Sequence, residues 1–225
     1  HKDGVWICQM SYLPLMLAQN AVDNICAEHL CYYSLDSFMS LLTQCKLQVV
    51  DVEVNEINGG SFRIYVKHSD SYFPPIERSI GDFRIQSLLS HESRLLLKQP
   101  YIYNVFLGRI KKEHQKLARF LIEARESSKV ILGYGASTKG NTLLQYFGIG
   151  PTLLPAIADR NKDKHGKYTV GSNIPIISEE EMRKMKPDYL LALPWHFIKG
   201  FQEREKCLIN QGTRFVGPLP KFEVI

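Results

Sequence analysis

The chain has 225 residues, 44% of them hydrophobic, with 28 Lys and Arg against 23 Asp and Glu for a formal charge of +5. This composition excludes disordered and collagen-like classes, no apolar run approaches the roughly 20 residues of a membrane span, and His1 to Trp6 does not read as a signal peptide. The expectation is a cytoplasmic protein without a membrane partner, whose five cysteines, an odd number at irregular spacing (Cys8, Cys26, Cys31, Cys45, Cys207), are reduced, and whose first residue, His rather than Met, points to sequence upstream.

Val5 to Met10 reads as a short buried strand, and Ser11-Tyr12-Leu13-Pro14 opens a short helix whose first turn tolerates proline. Ser34 is the expected N-cap of a helix burying Leu35, Phe38, Met39, Leu42 and Cys45. Leu47 to Val54 and Ser61 to His68 alternate at period two, and Asn55 to Gly60 between them supplies a turn, so the two strands are expected to pair. Tyr72-Phe73-Pro74-Pro75 breaks the pattern and is expected to mark a boundary, within Ser69 to Asp82. A long helical region over Ile85 to Ser127 follows, interrupted near Gln99-Pro100, where proline removes a donor.

From Lys129 strands and helices alternate. Strands are predicted at 130–134, 154–159, 174–177, 189–193 and 214–216, and helices at 138–147, 179–185 and 197–210. Near-continuous apolar strands separated by helices predict an α/β fold with a parallel sheet covered on both faces, a small Rossmann-like unit. No internal repeat or low-complexity segment is seen.

Charge is divided unevenly. Residues 1–110 carry 9 basic and 11 acidic side chains, leaving 19 and 12 in residues 111–225, a net +7 that attracts anions. Part of the excess lies in the loop from Asp159 to Lys167, which also reads as an ordinary solvated surface. No nucleic-acid-binding motif accompanies the charge, and its signs are mixed, so no nucleic-acid partner is expected.

Two segments could carry chemistry. Val130 to Asn141 places Gly133 and Gly135 at a strand end and Ala136, Ser137, Lys139 and Gly140 at a helix start, where backbone N–H groups can approach a phosphate. Asp159, 24 positions after Gly135, is near the spacing of a ribose-binding acid, which keeps NAD open; against it, the third fingerprint glycine would fall on Thr138. A tight turn that needs glycine only for packing is also open. The second segment, Asp23 to Ser34, contains Glu28 beside His29 among tyrosines, a pattern suited to proton transfer or to a plain buried ion pair. Cys26, His29 and Cys31 include metal-ligand types, but no C-x-x-C pair accompanies them.

Gly4 to Gln9, Ser11 to Pro14, Asp23-Asn24-Ile25, Glu28-His29-Leu30, Tyr32 to Leu35, Ile57 to Ser61 and Arg63 resemble the back half of the catalytic domain of S-adenosylmethionine-dependent sugar C-methyltransferases. The resemblance continues in order through Gly133 to Asn141, Ala158-Asp159, Lys164, Gly166, Ile174 to Ile176, Pro194 to Phe197 and Gly217 to Pro220, covering nearly the whole chain. It implies the tail of a class I methyltransferase sheet in residues 1–75, a helical connector in 76–128, and a Rossmann-like nucleotide-sugar-binding domain in 129–225.

It further implies His29 as the base that removes a proton beside a sugar ketone, Glu28 as its supporting acid, and Tyr32 and Tyr33 as polar contacts. The tyrosine and the acid that often precede the pair are replaced by Cys26 and Ala27. Asn58, Gly59, Arg63, Gly133, Gly135, Ala136, Ser137, Lys139, Asn141, Asp159, Arg160 and Trp195 are implied at a nucleotide-diphosphate sugar, with Lys139 and Arg160 against the phosphates. The family's S-adenosylmethionine loop and its N-terminal zinc module have no counterpart among these residues. The expectation is therefore an incomplete donor site, no metal in this chain, no methyl transfer by the chain alone, and as partner the missing N-terminal half or a second copy; a non-catalytic nucleotide-sugar-binding module and an NAD(P)-binding reductase domain are the alternatives.

Overall fold

The computed structural model describes residues 3–72 and 74–225; the side chains of residue 58 and residues 75–78 also lie outside the described residues. Two compact units are formed, one from residues 1–19 and 30–106, the other from 20–29 and 107–225.

The first unit holds a three-stranded sheet of β1 (Trp6–Ser11), β2 (Leu47–Asn55) and β3 (Ser61–His68) in the order β1-β3-β2. β3 is antiparallel to both neighbours, with Gln9 opposite Arg63 and Glu53 opposite Arg63. Period two does its expected work on β3: Phe62, Ile64 and Val66 are buried, whereas Arg63 and Tyr65 point away from the core. The buried face packs on α2 (Leu35–Gln44), through Leu35, Phe38 and Leu42. Ser34 caps that helix in a capping box with Ser37. Met39 is only partly buried and Cys45 is exposed, because the helix ends at Gln44. The short helix α1 (Leu13–Ala18) carries Pro14 in its first turn, as expected.

Helix α3 (Pro75–Leu95) begins ten residues before the predicted start, since proline is accommodated at the first helical position. It packs directly on β2: a Cβ added to Gly81 would stand 2.0 Å from the Val50 carbonyl oxygen. The break falls at Leu96, whose φ is 52°, and α4 (Pro100–Glu126) follows. Residues 76–128 are thus shared between the units, α3 lying with the first sheet and α4 giving its residues from Leu107 onward to the second.

Glu92 on α3 organises the first unit's interior. It is 4% exposed, and its carboxylate accepts the Tyr12 hydroxyl at 2.7 Å and the amides of Leu35 and Asp36 at 2.6 and 3.0 Å. Two of the donors left unpaired at the start of α2 are thereby satisfied by a charge from another helix. Burial, and after it the same carboxylate, push the Tyr12 phenol well above its ordinary range.

The second unit is built on six strands in the order β6-β5-β4-β7-β8-β9: β4 (Ile131–Tyr134), β5 (Ile157–Asp159), β6 (Ile176–Ser178), β7 (Tyr189–Ala192), β8 (Arg214–Gly217) and β9 (Glu223–Val224). The first five are parallel, as the alternation predicts; β9 adds an antiparallel edge against β8 that two residues of strand were too short to announce. Helices α5 (Thr138–Tyr146), α6 (Glu179–Lys184), α7 (Ile198–Arg204) and α8 (Lys206–Asn210) connect them, the last two replacing the single helix expected over 197–210. No described helix is long and apolar enough to cross a membrane.

Glu92→Ala should lower the unfolding free energy by about 3 kcal/mol or more, because it strands three donors that now reach a charged acceptor. Glu92→Gln should cost less. Urea denaturation of both variants measures the difference, and equal stability of parent and Glu92→Ala would contradict the capping role.

Candidate functional site

Residues 20–29 fold with the second unit, although the sequence around them runs through the first. Asn20 begins the segment with φ 53°; its Nδ2 donates to the Pro220 carbonyl at 2.8 Å and its Oδ1 accepts the Arg109 Nε–H at 2.8 Å. Ala21, Val22 and Asp23 are buried, the last two within a 3-10 turn, Val22–Asn24, that packs against α5. The chain then returns to solvent, leaving Glu28 exposed and His29 half-buried.

Asp23 is fully buried, and its Oδ2 accepts the Trp195 indole N–H at 3.1 Å while its Oδ1 has no hydrogen-bond partner among the described residues. Burial raises this carboxyl to about 6, against the opposing pull of the Lys139 charge, the indole bond and His29. Next along the chain from Trp195, the Nε2 of His196 is likewise buried without a partner; burial and the Lys139 charge lower that imidazole to about 4. A carboxyl that resists ionisation and an imidazole that resists protonation therefore both lie within the field of one ammonium.

At the exposed end, the His29 Nδ1–H donates to the Asn24 carbonyl at 2.9 Å. A carbonyl can only accept, so this bond assigns a proton to Nδ1, and in the neutral ring the lone pair is then on Nε2. Glu28 is bonded by its own backbone N–H, by the Thr138 side chain and by the Cys26 thiol, and these bonds with the nearby His29 hold its carboxyl below the ordinary range. The Cys26 thiol is pushed up, by burial first and then by Glu28. Cys26 thus stands as a hydrogen-bond partner of the acid.

The glycine loop is shaped by packing. Gly135 has φ 86°, and a Cβ there would lie 2.6 Å from Pro194 Cγ; a Cβ on Gly133 would lie 2.7 Å from Ile157 Cγ1. Ser137 caps α5 by accepting the Gly140 amide at 3.0 Å, and Asn141 is half-buried one turn on. The loop's amides are spent internally: Gly135 on the Ala158 carbonyl, Ser137 on the Gly135 carbonyl, and Ala136 on Asp159 Oδ2 at 2.8 Å. Asp159 also accepts the Asn161 amide at 2.8 Å and Lys164 Nζ at 3.2 Å, and Lys164 donates to the Ala136 carbonyl at 2.6 Å. The residue spaced like a ribose-binding acid is here the clamp of a loop. Arg160, Asp159 and Gly135 line a cavity of about 240 Å³ with Arg204 and Glu179.

The structure therefore gathers Glu28, His29, Gly133, Gly135, Ala136, Ser137, Lys139, Asn141, Asp159, Arg160 and Trp195 in one unit, with Trp195 buried rather than offered as a stacking surface. The other residues lie in the first unit. Tyr33 packs edge-on against Phe38 at 5.1 Å, and Tyr32 lines a cavity of about 700 Å³ with Ser34, Asp36, Glu92 and Tyr103. Gly59 ends a 3-10 turn with φ 84°, and Arg63 belongs to a cross-strand row, its Nε donating to Gln9 at 3.1 Å and its guanidinium 3.7 Å from Glu53. The Asn58 side chain is outside the described residues. Among the described residues no three His, Cys, Asp or Glu side chains form a metal-binding group, so Cys26, His29 and Cys31 do not converge as ligands. Sequence assigns no role to Thr138, Asp23 or His196; the signal of Asp23 and of the His196 Nε2 is burial of a polar group, and that of Thr138 is its bond to Glu28, neither of which a local pattern carries.

Residues 56–220 match the family described as the C-methyltransferase C-terminal domain. The chain belongs to this family. It is also 30% identical over 225 residues to the C-methyltransferase NovU of Streptomyces niveus, an alignment that takes in 99% of the chain and 52% of NovU. The chain thus spans about half the length of that curated relative.

The two buried groups beside Lys139 predict opposite pH responses. Asp23, raised in the folded state, contributes stability at low pH that is lost as pH rises from about 4 to 6; His196, lowered, contributes stability above its unfolded pKa that is lost as pH falls from about 6.5 to 4. In the parent the two slopes offset each other. Relative to the parent, Asp23→Asn should gain stability with rising pH over this window and His196→Gln should lose it, each by up to about 3 kcal/mol. Denaturant titrations at pH 4, 5, 6 and 7 check this, and parallel profiles for all three proteins would contradict it.

Proposed function

We propose that the chain is the part of an S-adenosylmethionine-dependent C-methyltransferase that supplies the proton acceptor for transfer to carbon beside the ketone of a nucleotide-linked sugar. The observation that carries this reading is the His29 Nδ1–H bond to the Asn24 carbonyl, which in the neutral ring puts the basic lone pair on Nε2, next to an ionised Glu28. A C–H bond is a poor nucleophile until such a base takes its proton and the neighbouring carbonyl holds the charge as an enolate. Glu28 favours the imidazolium that results, as a fixed negative charge does for any cation formed beside it.

The first unit's Gly59-Gly60 pair joins a 3-10 turn to a strand instead of a strand to a helix, so the methyl donor is not assigned to it. The diphosphate is assigned to the side chains of Lys139 and Arg160 rather than to the amides of Gly135, Ala136 and Ser137, which are already donated internally. That internal use, with Asp159 clamped in the loop, also argues against NAD.

In the enzyme containing this chain, His29→Ala should abolish exchange of the sugar's acidic C–H with deuterated solvent as well as methyl transfer, because both begin with the same abstraction; Glu28→Gln should be milder. Solvent-exchange NMR and a methyl-transfer assay decide it, and undiminished exchange in His29→Ala would overturn the reading. Lys139→Ala should weaken binding of the nucleotide sugar by about 1.5 to 3 kcal/mol, and less at high salt. Calorimetric titration showing unaltered affinity would remove Lys139 from the phosphate site.

A further inference from the structure

The second unit's strand order reverses at β4 and β7: from β4 the chain adds β5 and β6 on one side, then crosses to add β7 and β8 on the other. In an open parallel sheet, the crevice beyond the carboxyl ends of the strands at such a reversal is where a ligand enters. Here the segments leaving β4 and β7 meet there directly. The space a Gly135 side chain would need is taken by Pro194, and a Cβ on Gly140 would stand 2.9 Å from the Cβ of Leu193. Against these segments lies the chain's own turn at 22–24, packed on α5 and joined to Trp195 through Asp23.

We propose that residues 20–29 are a built-in occupant of this crevice, and that Asp23 is the positioning residue that sets Glu28 and His29 at the amino end of α5. The proposal rests on the proton-transfer reading of Glu28 and His29 and adds to it a reason for the second unit beyond binding substrate.

The path from Asp23 to the imidazole is short and continuous. The neighbouring residue, Asn24, donates its amide to the Ala21 carbonyl at 3.1 Å and offers its own carbonyl to His29 Nδ1 at 2.9 Å. The Ile25 amide closes the turn on the Val22 carbonyl at 2.9 Å, and the His29 amide closes the next turn on the Cys26 carbonyl at 3.0 Å. Fixing Asp23 against Trp195 thus fixes the carbonyl that chooses the His29 tautomer. Asn20 anchors the other end through Arg109 and Pro220. A buried carboxylate with one oxygen unpartnered is expensive to keep for packing alone. An apolar residue would fill the space without that cost, but it could not accept the indole bond.

The test reads the imidazole itself. Nitrogen-15 NMR of the 225-residue chain should show His29 protonated at Nδ1. Asp23→Ala should shift it toward the Nε2–H form favoured by a free imidazole, whereas Asp23→Asn, whose amide oxygen still accepts the indole N–H, should largely preserve the parent tautomer. In the enzyme containing the chain, Asp23→Ala should slow solvent exchange of the substrate C–H about ten- to a hundredfold with little change in KM, and Asp23→Asn should restore most of it. Should Asp23→Ala fail to fold, Trp195→Phe, which removes only the donor, should produce the same shift in smaller degree. A parent-like His29 tautomer in Asp23→Ala, or in Trp195→Phe if the former does not fold, would overturn the positioning role. Undiminished exchange in His29→Ala would instead fail the proton-transfer reading, while leaving the tautomer measurement to judge the anchoring.

Discussion

A carboxylate that is hard to bury sets the terms for the second unit. Asp23 is taken wholly out of water and given one good hydrogen bond, from Trp195, together with the charge of Lys139. Its desolvation cost is tolerable only while those partners are in place, so the segment that carries Asp23 has one well-defined seat and loses much by leaving it. Specificity of placement, more than net stability, is what such a group provides. Its effect on the exposed end is local and mechanical, transmitted through two tight turns to Glu28 and His29.

The same constraint explains the glycine loop. Gly133, Gly135 and Gly140 each stand where a Cβ would strike a neighbour, and the loop's amides are paired with the chain's own carbonyls and with Asp159. A dinucleotide-binding loop needs glycine so that phosphate can come close; this loop needs it so that Pro194, Leu193 and Ile157 can come close. The likeness to a dinucleotide fold is a likeness of sheet topology, and the crevice that such folds reserve for ligand is here partly filled from within.

Much of the fold was legible because it rests on periodicity. Phe62, Ile64 and Val66 alternate on β3, the run from Ile131 to Tyr134 is continuously buried, and Ser34 caps its helix as expected. The start of α3 was missed because Pro74-Pro75 reads as a breaker when the second proline is in fact a first helical residue. β9 was missed because two residues have no period. The candidate site was legible only in its residue types: Glu28 beside His29 suits proton transfer or a plain hydrogen-bonded pair, and the resemblance implies the former. That residues 20–29 fold with residues 107–225, and that Asp23 reaches Trp195 across 172 positions, depends on long-range packing that no local window contains. Asp159 shows the converse, a correct ribose-acid spacing whose oxygens are committed to Ala136, Asn161 and Lys164.

The measurement that bears most directly on this account is a double-mutant cycle between Asp23 and Trp195, using Asp23→Ala, Trp195→Phe and the pair, with unfolding free energies from urea titration at pH 7. If the indole bond to a buried carboxylate anchors the segment, the two substitutions should be coupled by about 1 to 3 kcal/mol, the double variant being much less destabilised than the sum of the singles. Additive effects, with coupling below about 0.5 kcal/mol, would contradict the claim that this contact holds residues 20–29 in place.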